Sequence, residues 1–274
     1  MTRWIIFMIV MSAFWIAFQY IMIKRGNLQG QYLNAMLKSL NDEEQFFIAA
    51  KEGLEKEKNP EFLEKIKLMK AWGEAYYEHF DAYAETIETV DLQRLVSNGK
   101  KSRVKENEDA FFYLHLIIPN RLYGCGQKEL LNSLQEKMES IKKETENTLT
   151  YHIFEANMNY YNRTGDLGEQ IYGEVLSGDY GGYTYSKQLI GIYKNIVTAM
   201  LAAVYKETGD NRRYNELNDD LTFFASMPLG LRWLKALGLP IPRDVEVREE
   251  DKKPMEEKEV KEIEHKEDTE EKTE

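Results

Sequence analysis

Twenty consecutive residues, WIIFMIVMSAFWIAFQYIMI from Trp4 to Ile23, carry no formal charge. A helix of about 20 residues spans about 30 Å, the thickness of a bilayer's hydrocarbon layer, so the stretch is expected to contact the lipid bilayer as a single membrane span. Trp4 and Tyr20 sit near the two expected interfaces, where aromatic rings collect. A cleaved signal peptide would have a shorter apolar run followed by small residues, whereas Gln19, Tyr20 and then Lys24-Arg25 close this one. Arg3 alone precedes the span while Lys24, Arg25 and Lys38 follow it, an imbalance that leans the C-terminal body towards the cytoplasm. Residues 1–25 are therefore read as an anchor and the protein as a single-pass membrane protein.

Beyond the anchor the pattern is helical. Asn59-Pro60-Glu61 gives a cap, a first-turn proline and an acidic residue at the positive helix end, opening PEFLEKIKLMKAWGEAYYEHF. In it Phe62, Ile66, Met69, Trp72 or Gly73, Tyr76 and Phe80 recur at three and four residues and predict one apolar stripe. Further helices are expected over 41–59, 128–143, 144–162, 186–210, 212–224 and 227–242. The run AFFYLHLII, which Pro119 should stop, could be strand or helix. The polar segment 98–109 predicts a loop, and no segment alternates as a sheet would. The fold class expected for residues 26–243 is all-α, an array of antiparallel helical hairpins or a bundle.

Charge separates the body from its tail. Asp244 to Glu274 holds 15 acids and 7 bases and so carries −8 of the net −11, leaving −3 for the rest. So charged and apolar-poor a tail cannot offset the entropy of ordering, and residues 244–274 are expected to be disordered. The near-balanced body lacks the basic stripe of a nucleic-acid binder, so no nucleic-acid partner is expected.

NYYNRTGDLGEQIY, from Asn159, and AAVYKETGDNRRYNEL, from Ala202, each place a tyrosine ahead of Thr-Gly-Asp. Glycine in such a turn supplies a left-handed helix end and the aspartate after it caps the next helix, which makes Gly165, Asp166, Gly209 and Asp210 the expected structural turns of two hairpins. A looser third copy lies at EAYYEHFDAYAETIETV, residues 74–90. Over about residues 151–240 the chain here resembles tetratricopeptide-type helical repeats, on Tyr161, Gly165, Asp166 and Tyr205, Gly209, Asp210. The resemblance implies a solenoid that binds a protein or peptide. Its interval of 44 exceeds the roughly 34 residues of that repeat, and the small residue expected early in the second helix is absent.

Chemistry-bearing patterns are sparse. The single Cys125 lies between glycines and has no second thiol for a redox pair. His79, His115, His152 and His265 form no metal-ligand spacing, the glycines of SGDYGGYTY lack the context of a phosphate loop, and no nucleophile motif is present; no cofactor or metal is expected. The most distinctive feature is a set of tyrosines, Tyr160, Tyr161, Tyr172, Tyr180, Tyr183, Tyr185 and Tyr193, whose apolar faces and hydroxyls suit either inter-helix packing or a partner-binding surface. The leading expectation is a membrane-anchored interaction scaffold. The alternative is a tethered enzyme or ligand-binding sensor with a site near residues 155–185.

Overall fold

The computed structural model describes residues 30–99, 101–165, 167–179 and 187–241. The anticipated anchor and the acidic tail lie outside them. The described chain is all-helical except for one minimal hairpin.

The N-terminal helices are α1 (Gln31–Lys38), α2 (Glu43–Lys56), α3 (Pro60–Tyr76), α4 (Phe80–Glu88) and α5 (Leu92–Val96). Local chemistry sets their starts: Asp42 accepts from Gln45 N–H at 3.1 Å, and Asn59 accepts from Glu61 N–H at 3.0 Å ahead of Pro60. The first four pack each on the next, and α3 lies at the centre, touching α1, α2, α4, α5 and, later in the chain, α6 and α7. It is accordingly buried on more than the one expected stripe, with Glu64, Lys65, Leu68, Ala71 and Glu74 enclosed beside Ile66, Met69 and Trp72. The enclosed charges are held: Glu64 takes Lys67 at 2.8 Å and the Asp91 N–H at 2.8 Å, while Lys70 pairs with Glu74 and donates to Thr86 at 2.8 Å. The expected continuity to Phe80 fails because Glu78 turns left-handed (φ 68) and Phe80 opens α4.

Two further departures from the sequence reading follow. The polar segment near Gly99 is not all loop, since β1 (Ser97–Asn98) pairs antiparallel with β2 (Lys101–Ser102). Pro119 does not stop its helix either: α6 (Glu108–Phe112) runs through one π-helical turn (Tyr113–Ile117) into α7 (Ile118–Gly124), with the Ile118 N–H reaching back to Tyr113 O. Proline cannot donate and its ring crowds the preceding turn, and a widened turn before it lets the helix continue.

The C-terminal half holds α8 (Lys128–Glu139), α9 (Lys142–Thr145), α10 (Leu149–Asn162), α11 (Glu169–Ser177), α12 (Lys187–Thr208), α13 (Asn211–Glu216), α14 (Asn218–Ala225) and α15 (Pro228–Ala236). The helix expected over 144–162 is broken because Thr148 accepts the Tyr151 N–H at 3.2 Å and starts α10 afresh. Among the described residues one stretch, Leu189–Thr208 of α12, is long and apolar enough to cross a membrane, with a mean hydropathy of 1.2 and 56% of it buried. It packs on α10, α11, α13, α14 and α15, the position of a core helix. The last helix, α15, returns to touch α7 as well as α12 and α14, joining the two halves through one continuous apolar core.

Candidate functional site

Four of the seven tyrosines of the expected partner-binding surface are described, and they lie in the core. Tyr160 and Tyr161 are 3% and 7% exposed, Tyr172 and Tyr193 are fully enclosed, and all four belong to the core. Their hydroxyls tie helices together: Tyr172 donates to Asn157 Oδ1 at 2.7 Å, Tyr193 meets Thr150 Oγ1 at 2.5 Å, and Tyr161 accepts from Asn120 Nδ2 at 3.4 Å. Burial pushes the Tyr161 phenol well above its usual range. Tyrosine was ambiguous between packing and recognition, and here it packs. Tyr180, Tyr183 and Tyr185 lie outside the described residues.

The two Thr-Gly-Asp turns differ in construction. After α12, Gly209 is left-handed (φ 76), the Asp210 N–H closes on Tyr205 O at 2.9 Å, and Asp210 Oδ1 accepts the Arg213 N–H at 3.0 Å to cap α13. After α10 the left-handed residue at the helix end is Arg163 (φ 57); Gly165 is also left-handed (φ 60), but α11 begins after Gly168 (φ 86). Asp166, the residue expected to cap the second helix, is outside the described residues. The two turns nevertheless meet. Arg163 pairs with Glu207 and Arg213 with Glu169, each across 44 positions, and each arginine lies 4.5 Å from a tyrosine ring, Tyr160 or Tyr205.

A cavity of about 80 Å³ opens elsewhere, between α3, α7 and α15. Trp72 and Tyr76 come from α3, Ile117, Asn120 and Arg121 from the π-turn and α7, Leu229, Arg232 and Trp233 from α15, and Leu40 from the α1–α2 link. The walls are fixed by specific contacts. Tyr77 donates to Leu40 O at 2.7 Å, and Arg121 caps the end of α3 by donating to Ala75 O at 3.2 Å and Tyr76 O at 3.1 Å while pairing with Glu78 at 2.8 Å. The Arg232 guanidinium stacks 3.7 Å from the Tyr76 ring centroid. A Cβ on Gly124 would come within 2.4 Å of Ala236 Cβ, so α7 and α15 touch through backbone and the cavity's two sides stay in register.

One donor in this wall is unmatched. Trp233 is 1% exposed, and its indole Nε1 has no hydrogen-bond partner among the described residues. Leaving such a donor unpaired costs about 1–3 kcal/mol. Cys125, at the end of α7, sits near Arg121 and Arg232, yet burial raises its thiol pKa more than the arginines lower it, which keeps the thiol protonated and weakly nucleophilic. Among the described residues no group of three metal-ligating side chains converges.

In the sequence Trp72 and Tyr76 stood out only as members of one apolar stripe, and the other cavity residues did not stand out. The signals were Asn120-Arg121 directly after Pro119 and Arg232-Trp233 inside an apolar helix, polar groups placed where a packing helix would put apolar ones. No family model, curated protein or solved structure matches this chain.

Proposed function

We propose that the chain is a single-pass membrane protein whose body is a stack of helical hairpins serving as a protein-interaction scaffold, with the tetratricopeptide-like resemblance as its architecture. The carrying observation is the pairing of Arg163 with Glu207 and of Glu169 with Arg213 across 44 residues, the interval that separates the two turns. Equivalent positions of successive hairpins therefore face each other with opposite charge. Stacking of like units brings equivalent positions together in that way, and such stacks offer an extended face to a partner. The uncharged stretch Trp4–Ile23 supports the anchor.

The test has two arms. The full chain is expected to stay with membranes after high-salt and alkaline washing, and recovery of a soluble chain beginning near residue 24 would show cleavage instead. Affinity capture from detergent-solubilised membranes is expected to return the same protein partners repeatedly. No partner, together with a small molecule that raises the melting temperature, would favour the tethered sensor over the scaffold.

A further inference from the structure

We propose that the basic hairpin of residues 97–105 is a contact surface for anionic lipid headgroups of the bilayer that the anchor crosses. This rests on the membrane-anchored reading above and adds to it which face of the body meets the lipid.

The course of α1 fixes the end of the body nearest the anchor. Tyr32, near the start of α1, packs beside Gly53 near the end of α2, where an added Cβ would lie 3.0 Å from Tyr32 Cβ and 3.0 Å from Ile66 Cδ1 in the first half of α3. Leu40, just past α1, is held instead by Tyr77 at the other end of α3. Thus α1 starts towards the N-terminal end of α3. Ile23, the last residue of the uncharged stretch, precedes Gly30 by seven residues, a reach of at most about 25 Å.

The same end of α3 carries the hairpin. The Arg103 N–H donates to Val96 O at 2.8 Å, and its guanidinium pairs with Glu61 in the first turn of α3. Asn107, fully buried, donates to Leu95 O at 2.7 Å, and Val104 packs on the core, so both ends of the hairpin are fixed to the body. Its charge is of one sign. Residues 97–105 hold Lys100, Lys101, Arg103 and Lys105 and no acid. Glu61 balances Arg103, whereas Lys101 and Lys105 are exposed and enter no ion pair among the described residues; Lys105 acts on the Glu108 carboxyl only at longer range. Lys24 and Arg25 add two bases between the uncharged stretch and the body. An anionic leaflet attracts such bases, and the attraction fades within a screening length of about 8–10 Å, so bases at the end nearest the bilayer are the ones it selects. A nucleic acid would need a broader basic surface than one hairpin on a near-balanced body.

The test uses the full chain in nanodiscs of phosphatidylcholine alone or with phosphatidylserine. An environment-sensitive fluorophore is placed on Ser102→Cys in a Cys125→Ser background, and lipid spin-labelled at the headgroup quenches it where it lies at the bilayer surface. Quenching is expected to be at least twofold greater in the anionic discs and to fall when salt shortens the screening length to about 3 Å. Lys101→Gln combined with Lys105→Gln should remove most of that difference, and Lys101→Arg combined with Lys105→Arg should keep it. Circular dichroism melts identify any variant that fails to fold. A label on Asp219→Cys should show no dependence on lipid charge, because its helix, α14, packs on α15, which meets α3 at Trp72 and Tyr76, the end away from the hairpin. Equal quenching at Ser102→Cys in the two discs, or a difference that survives removal of both lysine charges, overturns the proposal and leaves the anchor standing. A chain that does not enter the discs overturns the anchor and this contact with it. A label unquenched in both discs, with emission that shifts on truncation after Arg243, assigns the hairpin to the acidic tail instead.

Discussion

His115 illustrates how a single residue's environment decides its chemistry. It sits in the π-helical turn, 1% exposed, among the rings of Phe111, Tyr151 and Phe154, with Nδ1 donating to Phe111 O at 3.1 Å. Burial lowers its pKa to about 4, more than the backbone hydrogen bond raises it. The folded value lies below the unfolded one, so the unfolded chain binds the extra proton first; the stabilising contribution is full above about pH 6.5 and is lost as pH falls towards 4. Between pH 7 and pH 5 this residue alone should remove about 2 kcal/mol of stability. Urea melts at the two pH values measure it, and His115→Leu should flatten the difference. An unchanged slope in the variant would place the protonation elsewhere. Nothing in FFYLHLII could reveal this. The histidine's solvent exposure depends on helices that arrive from residues 149–162, and its widened turn on a proline four residues ahead.

At the scale of elements, the glycines of the turns separate strain from crowding. Gly209 and Gly165 are left-handed with open space where a Cβ would stand, so a valine meets strain alone, of roughly 1–3 kcal/mol. Gly168 is left-handed and also packed, with Ala156 Cβ 2.8 Å and the Tyr172 ring 2.9 Å from an added Cβ. Gly168→Ala should therefore cost more than Gly209→Ala, and equal losses in parallel urea melts would contradict the packed position of Gly168. Asp210→Ala should lower stability through the lost cap, and by less than Gly209→Val. Helix identity and several helix starts were legible, because Asp42, Asn59 and Asp210 cap locally and an apolar period of three to four survives in any helical context. The choice between packing and recognition for Tyr160, Tyr161, Tyr172 and Tyr193 was not legible for the opposite reason. A tyrosine's local sequence does not say whether its ring faces a neighbouring helix or a partner, and the cavity's residues come from four separate segments that only tertiary packing brings together.

At the scale of the molecule, α15 decides whether the chain behaves as a row of independent hairpins or as one cooperative body. In a linear stack each unit touches only its neighbours, and losing a terminal unit leaves the rest little changed. Here α15 touches α7, over a hundred residues earlier in sequence, as well as α12 and α14, and Leu231, Trp233, Leu234, Leu237 and Leu239 are buried in or just after it. Burying a large apolar side chain contributes roughly 1.5–3 kcal/mol, so truncation after Met227 should remove several kcal/mol and loosen α3 and α7, whose shared cavity loses a wall. Truncation after Arg243 removes none of these contacts, and its composition predicts a change within about ±0.5 kcal/mol. Urea unfolding followed by circular dichroism and by tryptophan fluorescence should give coincident transitions in the full chain. After removal of α15 the transition should shift to lower urea by either probe. If the shortened chain kept its midpoint, the hairpins would be independent and α15 merely a terminal cap; if truncation after Arg243 cost as much as truncation after Met227, the acidic tail would itself be packed on the body.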